Sequence, residues 1–440
     1  MKKREITQCL SLQSRAARLI PGMTQLLSKR PDMFSRGVWP GYFKDAHGTE
    51  VVDIDNNHYI DCSIGGIGAT VLGYADPEVN DAVVSVINSG SASTLNPPEE
   101  VALAERLVEL HPWADMARFT RSGGEAMAVA VRIARVATKR DTIVFCGYHG
   151  WMDWYLAANL GKKDALDEQW IAGLSPNGVP KGLAGTSIPF TFNDIESFND
   201  AIEKAGDNLA AVVMEPIRNF EPTTEFMQTI HHMVRSKNIP LVIDEISSGF
   251  RICNGGAHLK LGWEPDIAVF SKALGNGFPI AAVIGKKSVM SAAQDAFITS
   301  TNWTERTGPA AALAMINKFI AVNASAHLVA IAGKVEEGWN RIAKKNNIGI
   351  HIGGFKPMIH FSFNDDNNVN RAYFTQEMLY RGFLAGSAFY SMYAHTEEQI
   401  DKYLEAMSEV FSNLALLMAQ NEVSLHLIGQ PASVGFARIN

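Results

Sequence analysis

What this 440-residue chain lacks narrows its function first. Its four cysteines, Cys9, Cys62, Cys146 and Cys253, show no paired CxxC spacing and are too few for a disulfide-built scaffold. A reduced, cytoplasmic chain with free thiols and no metal centre is expected. No window holds the roughly 18 consecutive apolar residues of a membrane span. The start is basic at Lys2-Lys3-Arg4, but Glu5, Thr7, Gln8, Ser11, Gln13 and Ser14 are too polar for a signal-peptide core. Positive charge is not in excess: 39 Lys and Arg stand against 46 Asp and Glu, a formal net charge of −7. Nucleic acid is therefore not expected as the main partner, because that interface needs a basic face. Repeats and low-complexity linkers are absent. So is a G-x-G-x-x-G turn, which a dinucleotide-binding oxidoreductase would need after its first strand.

What is present is an ordinary globular composition, 47% hydrophobic and 19% charged, with length for two or three domains. Between Ala117 and about Gly285, short apolar runs alternate with helical stretches, the pattern of an α/β layer fold on a mostly parallel sheet. The expected strands are Ala117–Thr120, Thr142–Cys146, Ala210–Met214, Pro240–Ile243, Ile267–Phe270 and Ile280–Ile284. Several are apolar throughout, as strands covered on both faces are. Before this core, Tyr42–Asp61 has turn signals at Asp45-Ala46-His47-Gly48 and Asp55-Asn56-Asn57, and reads as a small antiparallel element. After it, a helical stretch starts near Pro309. The last clear helix is Thr396–Ala419, with Thr396 as its N-cap and Glu397-Glu398 at its positive end.

Three constellations carry chemistry. Ser122-Gly123-Gly124-Glu125-Ala126 lies between a strand and a helix, where unpaired backbone N–H groups and the helix dipole can seat a phosphate. Alone it reads more readily as a plain strand-to-helix turn, since short glycine motifs are common. Pro240-Leu241-Val242-Ile243-Asp244-Glu245 ends an apolar strand in two carboxylates, and strand carboxyl ends face the ligand crevice of an open α/β sheet. Lys272, in Ser271-Lys272-Ala273-Leu274-Gly275-Asn276-Gly277, directly follows another strand, and its glycines permit unusual backbone angles. Asp244 and Lys272 thus terminate two candidate strands downstream of a phosphate-type turn.

In this order and spacing the chain resembles the class III, ornithine-type aminotransferases of the fold type I pyridoxal-phosphate superfamily, with enzymes of the glutamate-1-semialdehyde aminomutase type closest in appearance. The resemblance runs from Tyr59-Ile60-Asp61 and Leu72-Gly73-Tyr74-Ala75-Asp76-Pro77-Glu78 to Ala394-His395-Thr396-Glu397-Glu398. Its most specific stretch is Ile243-Asp244-Glu245-Ile246-Ser247-Ser248-Gly249-Phe250-Arg251. It implies an α/β/α large domain over residues 76–315 and a smaller α+β domain built from residues 1–75 and 316–440. It also implies pyridoxal 5′-phosphate as cofactor, with Lys272 holding its aldehyde as a Schiff base and Asp244 keeping its pyridine nitrogen protonated.

Further roles follow from the resemblance one residue at a time. Ser122, Gly123 and Gly124 match the phosphate turn, although the family usually has Thr or Ser where Gly124 stands. Tyr148, in Gly147-Tyr148-His149-Gly150, matches the aromatic residue stacked on the cofactor ring. His149 reads as structural. Glu215 of Met214-Glu215-Pro216 matches a carboxylate at the cofactor edge, with Asn219 near the phenolic oxygen. Thr304, five residues before Pro309, matches a threonine that reaches the neighbouring subunit's phosphate, which implies a homodimer with shared sites.

On the substrate side the pattern departs. Gly386-Ser387-Ala388-Phe389-Tyr390-Ser391-Met392-Tyr393 lacks the glutamate usual in the aminomutase type. Trp151, Trp154 and Trp303 are expected to border the pocket, suiting a ligand with apolar or sugar-like faces, and Arg36 is a candidate for a substrate carboxylate. These features favour transfer from an amino donor to a small aldehyde or ketone over the intramolecular shift of an aminomutase. A catalytically silent binding protein on the same fold would have no chemical need for the Lys272 and Asp244 pair.

Overall fold

The computed structural model describes residues 4–169, 172–365 and 368–433; Lys2-Lys3 lies outside the described residues. The chain forms two units, one from Pro77–Ser325 and one from Met1–Asp76 with Ala326–Asn440. In the latter, β1 (Phe43–His47), β2 (Glu50–Asp53) and β3 (His58–Asp61) form the expected antiparallel element, a meander. The second turn falls near Asp55-Asn56-Asn57 as expected, but the first is displaced to Gly48-Thr49, because Asp45, Ala46 and His47 pair within β1.

The Pro77–Ser325 unit is built on seven strands: β4 (Met116–Thr120), β5 (Thr142–Cys146), β6 (Ser187–Pro189), β7 (Leu209–Met214), β8 (Leu241–Asp244), β9 (Ile267–Phe270) and β10 (Ala281–Gly285). They lie in the order β4-β10-β9-β8-β7-β5-β6. All are parallel except β10, which runs antiparallel to both β4 and β9. Successive side chains of a strand point to opposite faces, and the core divides accordingly. Ile143, Phe145, Val213 and Val242 pack with Ala126, Met127, Ala130 and Ile133 of helix Gly123–Thr138. Val144, Val212, Leu241 and Ile243 pack on the other face with Phe198 of helix Ile195–Ala205 and with Phe226, Ile230 and Val234 of helix Thr224–Ser236. Helices on both faces make three layers, which is why β5, β7, β8, β9 and β10 are buried at every position.

The other unit continues with β11 (Ile350–Phe355), β12 (Met358–Phe363), β13 (Phe383–Leu384) and β14 (Ala388–Tyr390). Strands β11, β12 and β14 form an antiparallel sheet, and β13 adds in parallel to β3. Helices Ala324–Lys345 and Glu397–Gln420 contribute Trp339, Tyr403 and Phe411 to a core with Phe361, Phe374 and Phe389. Thr396 caps the second helix by accepting from Gln399 N–H. Its neighbour His395 is buried, accepting from Met392 N–H at Nδ1 and donating from Nε2 to the Asp61 carbonyl. The Ala394-His395-Thr396 stretch thereby ties the helix start to β3.

Candidate active site

Each marked group of the large sheet follows the carboxyl end of a parallel strand: Ser122 after β4, Tyr148 after β5, Glu215 after β7, Asp244 at the end of β8 and Lys272 after β9. This is the edge at which open α/β sheets bind ligands. The helix after β4 begins at Gly123, and the Glu125 carboxylate folds back to accept from the backbone N–H of Ser122 (2.9 Å) and Arg121 (3.1 Å). The N–H groups of Gly123 and Gly124 remain at the positive end of the helix.

Asp244 is nearly buried. Its Oδ1 accepts from Ile246 N–H (2.9 Å) and its Oδ2 from His149 Nδ1 (2.7 Å). His149 Nε2 faces the Cys146 carbonyl at 3.1 Å, and Trp154 stacks against the ring. The imidazole therefore fixes Asp244 to the end of β5. A carboxylate offers about four lone-pair directions, so each Asp244 oxygen keeps one for a further donor.

Lys272 has φ +46, a left-handed conformation that is costly for a side chain with a Cβ and that recurs at functional sites. Its Nζ donates to Ser247 Oγ at 2.6 Å. Burial pushes the amine down to about 8; Asp244 opposes the shift, while Arg251 and Arg218 add to it. Lys272 thus gives up its proton more readily than an ordinary lysine, although the charged form still predominates at pH 7.

Tyr148 lies edge-to-face against Tyr155, and burial raises its phenol. Its backbone N–H donates to Glu215 Oε2 (3.2 Å), and Glu215 is ion-paired with Arg218. At Gly147, φ is +116 and an added side chain would collide with that same Glu215 oxygen, so glycine is required there. Asn219 is exposed and lines a cavity with Arg218, Gly147 and Thr191. Thr304 is exposed in the turn Thr301–Thr304 and donates to the Thr301 carbonyl. That turn is bound to the residue before Ser122: Arg121 donates to the carbonyls of Trp303 and Glu305.

The tryptophans separate. Trp151 is 68% exposed and Trp303 partly buried. Trp154, expected at the pocket border, is instead 6% exposed in the core, because its ring is taken up by His149 and Phe145. Arg36 belongs to the other unit, with an exposed side chain and a backbone bridge to Gln430. Sequence reading missed Ser247, Arg218 and Arg121. The spacing Glu215-Pro216-Ile217-Arg218 holds an opposite-charge pair three apart, which was a usable signal; the contacts of Ser247 and Arg121 are made across loops.

The fold is that of the pyridoxal-phosphate transaminases: a solved structure of the FumI protein of Sphingopyxis sp. MTA144, in a form carrying that cofactor, superposes with a TM-score of 0.84 at 25% identity, covering 97% of this chain and 99% of that one. The chain belongs to the class-III aminotransferases, whose family model matches residues 35–411, and it is a pyridoxal-phosphate-dependent enzyme. It is 28% identical to the 3-aminobutyryl-CoA aminotransferase of Cloacimonas acidaminovorans (95% of this chain, 100% of the relative). It is 33% identical to the glutamate-1-semialdehyde 2,1-aminomutase of Psychrobacter arcticus (86% and 93%). It is 30% identical to the 2′-deamino-2′-hydroxyneamine transaminase of Streptomyces kanamyceticus (88% and 93%).

Proposed function

We propose that this enzyme moves an amino group between two molecules, from an amino donor to a small aldehyde or ketone, with Lys272 and Asp244 as its catalytic residues. The observation that carries the reading is the pair itself: a partly buried amine with its pKa brought down to about 8 follows β9, and a carboxylate fixed by His149 ends the neighbouring β8.

These residues fit pyridoxal 5′-phosphate. The Lys272 amine suits its aldehyde, an Asp244 oxygen its ring N–H, Tyr148 its ring face and Gly123 with Gly124 its phosphate; Ser122, Glu215 and Asn219 border the same site. When bound, the cofactor supplies an electron sink for the carbanion at the amino carbon. Lys272, once released by the incoming amine, serves as the base that moves the proton at that carbon. A neutral amine is needed for that step, and Ser247 Oγ can hold it in place. His149 keeps Asp244 aimed at one position. The Glu215 and Arg218 pair closes one side with matched charge.

Transfer between molecules is favoured over the aminomutase shift by the absence of a carboxylate from Gly386–Tyr393. Exposed indole at Trp151, with Trp303 in the turn that carries Thr304, suits a sugar-derived acceptor, and a relative is named for acting on a neamine derivative. Arg36 is proposed for a substrate carboxylate. We also propose a cytoplasmic homodimer in which Thr304 of each chain completes the neighbour's phosphate site. Exposed Val84, Ile87, Leu95 and Val101 on and between helices Pro77–Asn88 and Pro98–Leu110 support such an interface.

Protein incubated with the cofactor should turn yellow, and borohydride should fix the cofactor on the Lys272 peptide. Colourless protein with that peptide unmodified would refute the proposal. Amino donors added singly should each be scored for conversion of the cofactor to its amine form with release of an oxo acid. Turnover of an amino aldehyde alone, with no half-reaction from any donor, would assign the aminomutase reaction instead.

A further inference from the structure

The chain has glycine at position 124, where the resemblance leads one to expect a hydroxyl beside the phosphate, and the structure fills the vacated space in a particular way. A Cβ on Gly124 would lie 3.8 Å from both Cδ1 and Nε1 of Trp151. The edge of the indole that carries its N–H is therefore what covers this residue of the helix start. The placement is enforced by backbone: at Gly150, φ is +96, and a side chain there would come within 3.3 Å of Gly124 Cα. The Tyr148–Trp151 loop is thus pressed directly onto the first turn of helix Gly123–Thr138. The indole Nε1–H donates to no described residue, and the side chain is mostly exposed although the loop beneath it is closely packed.

An indole N–H donates and cannot accept, which suits an oxygen-rich anion at a helix N-terminus. We propose that the Trp151 Nε1–H supplies the side-chain hydrogen bond to the cofactor phosphate that a hydroxyl at position 124 would otherwise give. This adds a positioning contact through the indole edge and leaves the indole face available to substrate. It rests on the reading of Gly123 and Gly124 as the phosphate turn.

The test uses pyridoxamine 5′-phosphate and pyridoxamine, which carry no aldehyde, so that affinity is read without bond formation to Lys272. Binding is measured by calorimetry on the apoprotein. Trp151→Phe should weaken pyridoxamine 5′-phosphate by about 5- to 10-fold, as expected for one hydrogen bond to a charged group, and change pyridoxamine less than about twofold. Adding Gly124→Ser to Trp151→Phe should recover most of the loss, since the site has room for a Cβ at ordinary contact distance. Equal loss for both ligands, or no loss for either, overturns the proposal. Gly124→Asp tests the underlying reading separately, by setting a carboxylate against the anion. If it weakens the phosphorylated ligand no more than the unphosphorylated one, the turn is not the phosphate site and the assignment of Gly123 and Gly124 fails with it.

Discussion

At the scale of single residues, the proposed chemistry depends on an amine that loses its proton more readily than an ordinary lysine, set after the strand that neighbours the one ending in Asp244. Burial lowers Lys272 to about 8, and the Arg251 and Arg218 cations act in the same direction against Asp244. Only the neutral amine attacks an aldehyde. The rate at which apoprotein takes up pyridoxal 5′-phosphate should therefore rise about tenfold per pH unit below 8 and level off above it. Stopped-flow absorbance checks this; a plateau reached only near the ordinary lysine value would contradict the burial effect. Asp244 is held by two donors that do not depend on any ligand, Ile246 N–H and His149. Asp244→Asn keeps the shape and one acceptor but loses the charge that favours a protonated ring nitrogen. Donor half-reactions should slow by about 10²- to 10³-fold, the order seen when one preorganised electrostatic contact is removed, with the cofactor still bound.

At the scale of elements, the strands were legible because buried parallel strands are short apolar runs. Thr142–Cys146 and Ile267–Phe270 form as expected. The strands expected at Pro240–Ile243 and Ile280–Ile284 each lie one residue later, a shift that matters because it brings Asp244 into β8. Ser187–Pro189 was not expected: three residues ending in proline at a sheet edge carry no hydrophobic pattern. The antiparallel direction of β10 was equally hidden, since a strand buried on both faces reads the same either way. Of the site, the strand-end residues Asp244 and Lys272 were visible, whereas Ser247 and Arg121 act through loop geometry that periodicity does not encode. The loop after β8 has its own support. Glu245 is fully buried, accepting at Oε1 from His258 N–H (2.7 Å) and Nδ1 (2.8 Å) and at Oε2 from Ser248 Oγ (2.5 Å). Trp113 Nε1 donates to the far side of His258 (2.9 Å). Burial alone would raise the Glu245 carboxyl, but the His258 and Ser248 hydrogen bonds outweigh it and hold it below the ordinary value. Its contribution to stability is present above the unfolded carboxyl pKa and is lost as pH falls through the lower folded one. Glu245→Ala should cost about 3 to 5 kcal/mol in chemical denaturation, as removal of one partner of a buried pair does. Glu245→Gln, which keeps an acceptor, should cost less.

At the scale of the whole molecule, a chain with net charge −7 has no general positive field to draw in a phosphorylated cofactor, so local donors must do so. Thr304 would add one from a second chain. Arg121 ties its turn to the residue preceding Ser122, so a role in the chain's own phosphate site is the competing possibility for the exposed Thr304 side chain. Mixed dimers separate the two possibilities. Lys272→Ala protein should be inactive, and Thr304→Ala protein should bind the cofactor weakly and show low activity at limiting cofactor. In a hybrid of the two, sharing places an intact Lys272 and an intact Thr304 together in one of the two sites and both substitutions in the other. Unfolding and refolding a 1:1 mixture should make half the dimers hybrid, so activity at limiting cofactor should recover to about a quarter of wild type by the statistics of a two-fold dimer. If each chain instead used its own Thr304, every site in the mixture would carry one substitution or the other, and the mixture would show only the average of the two parent proteins.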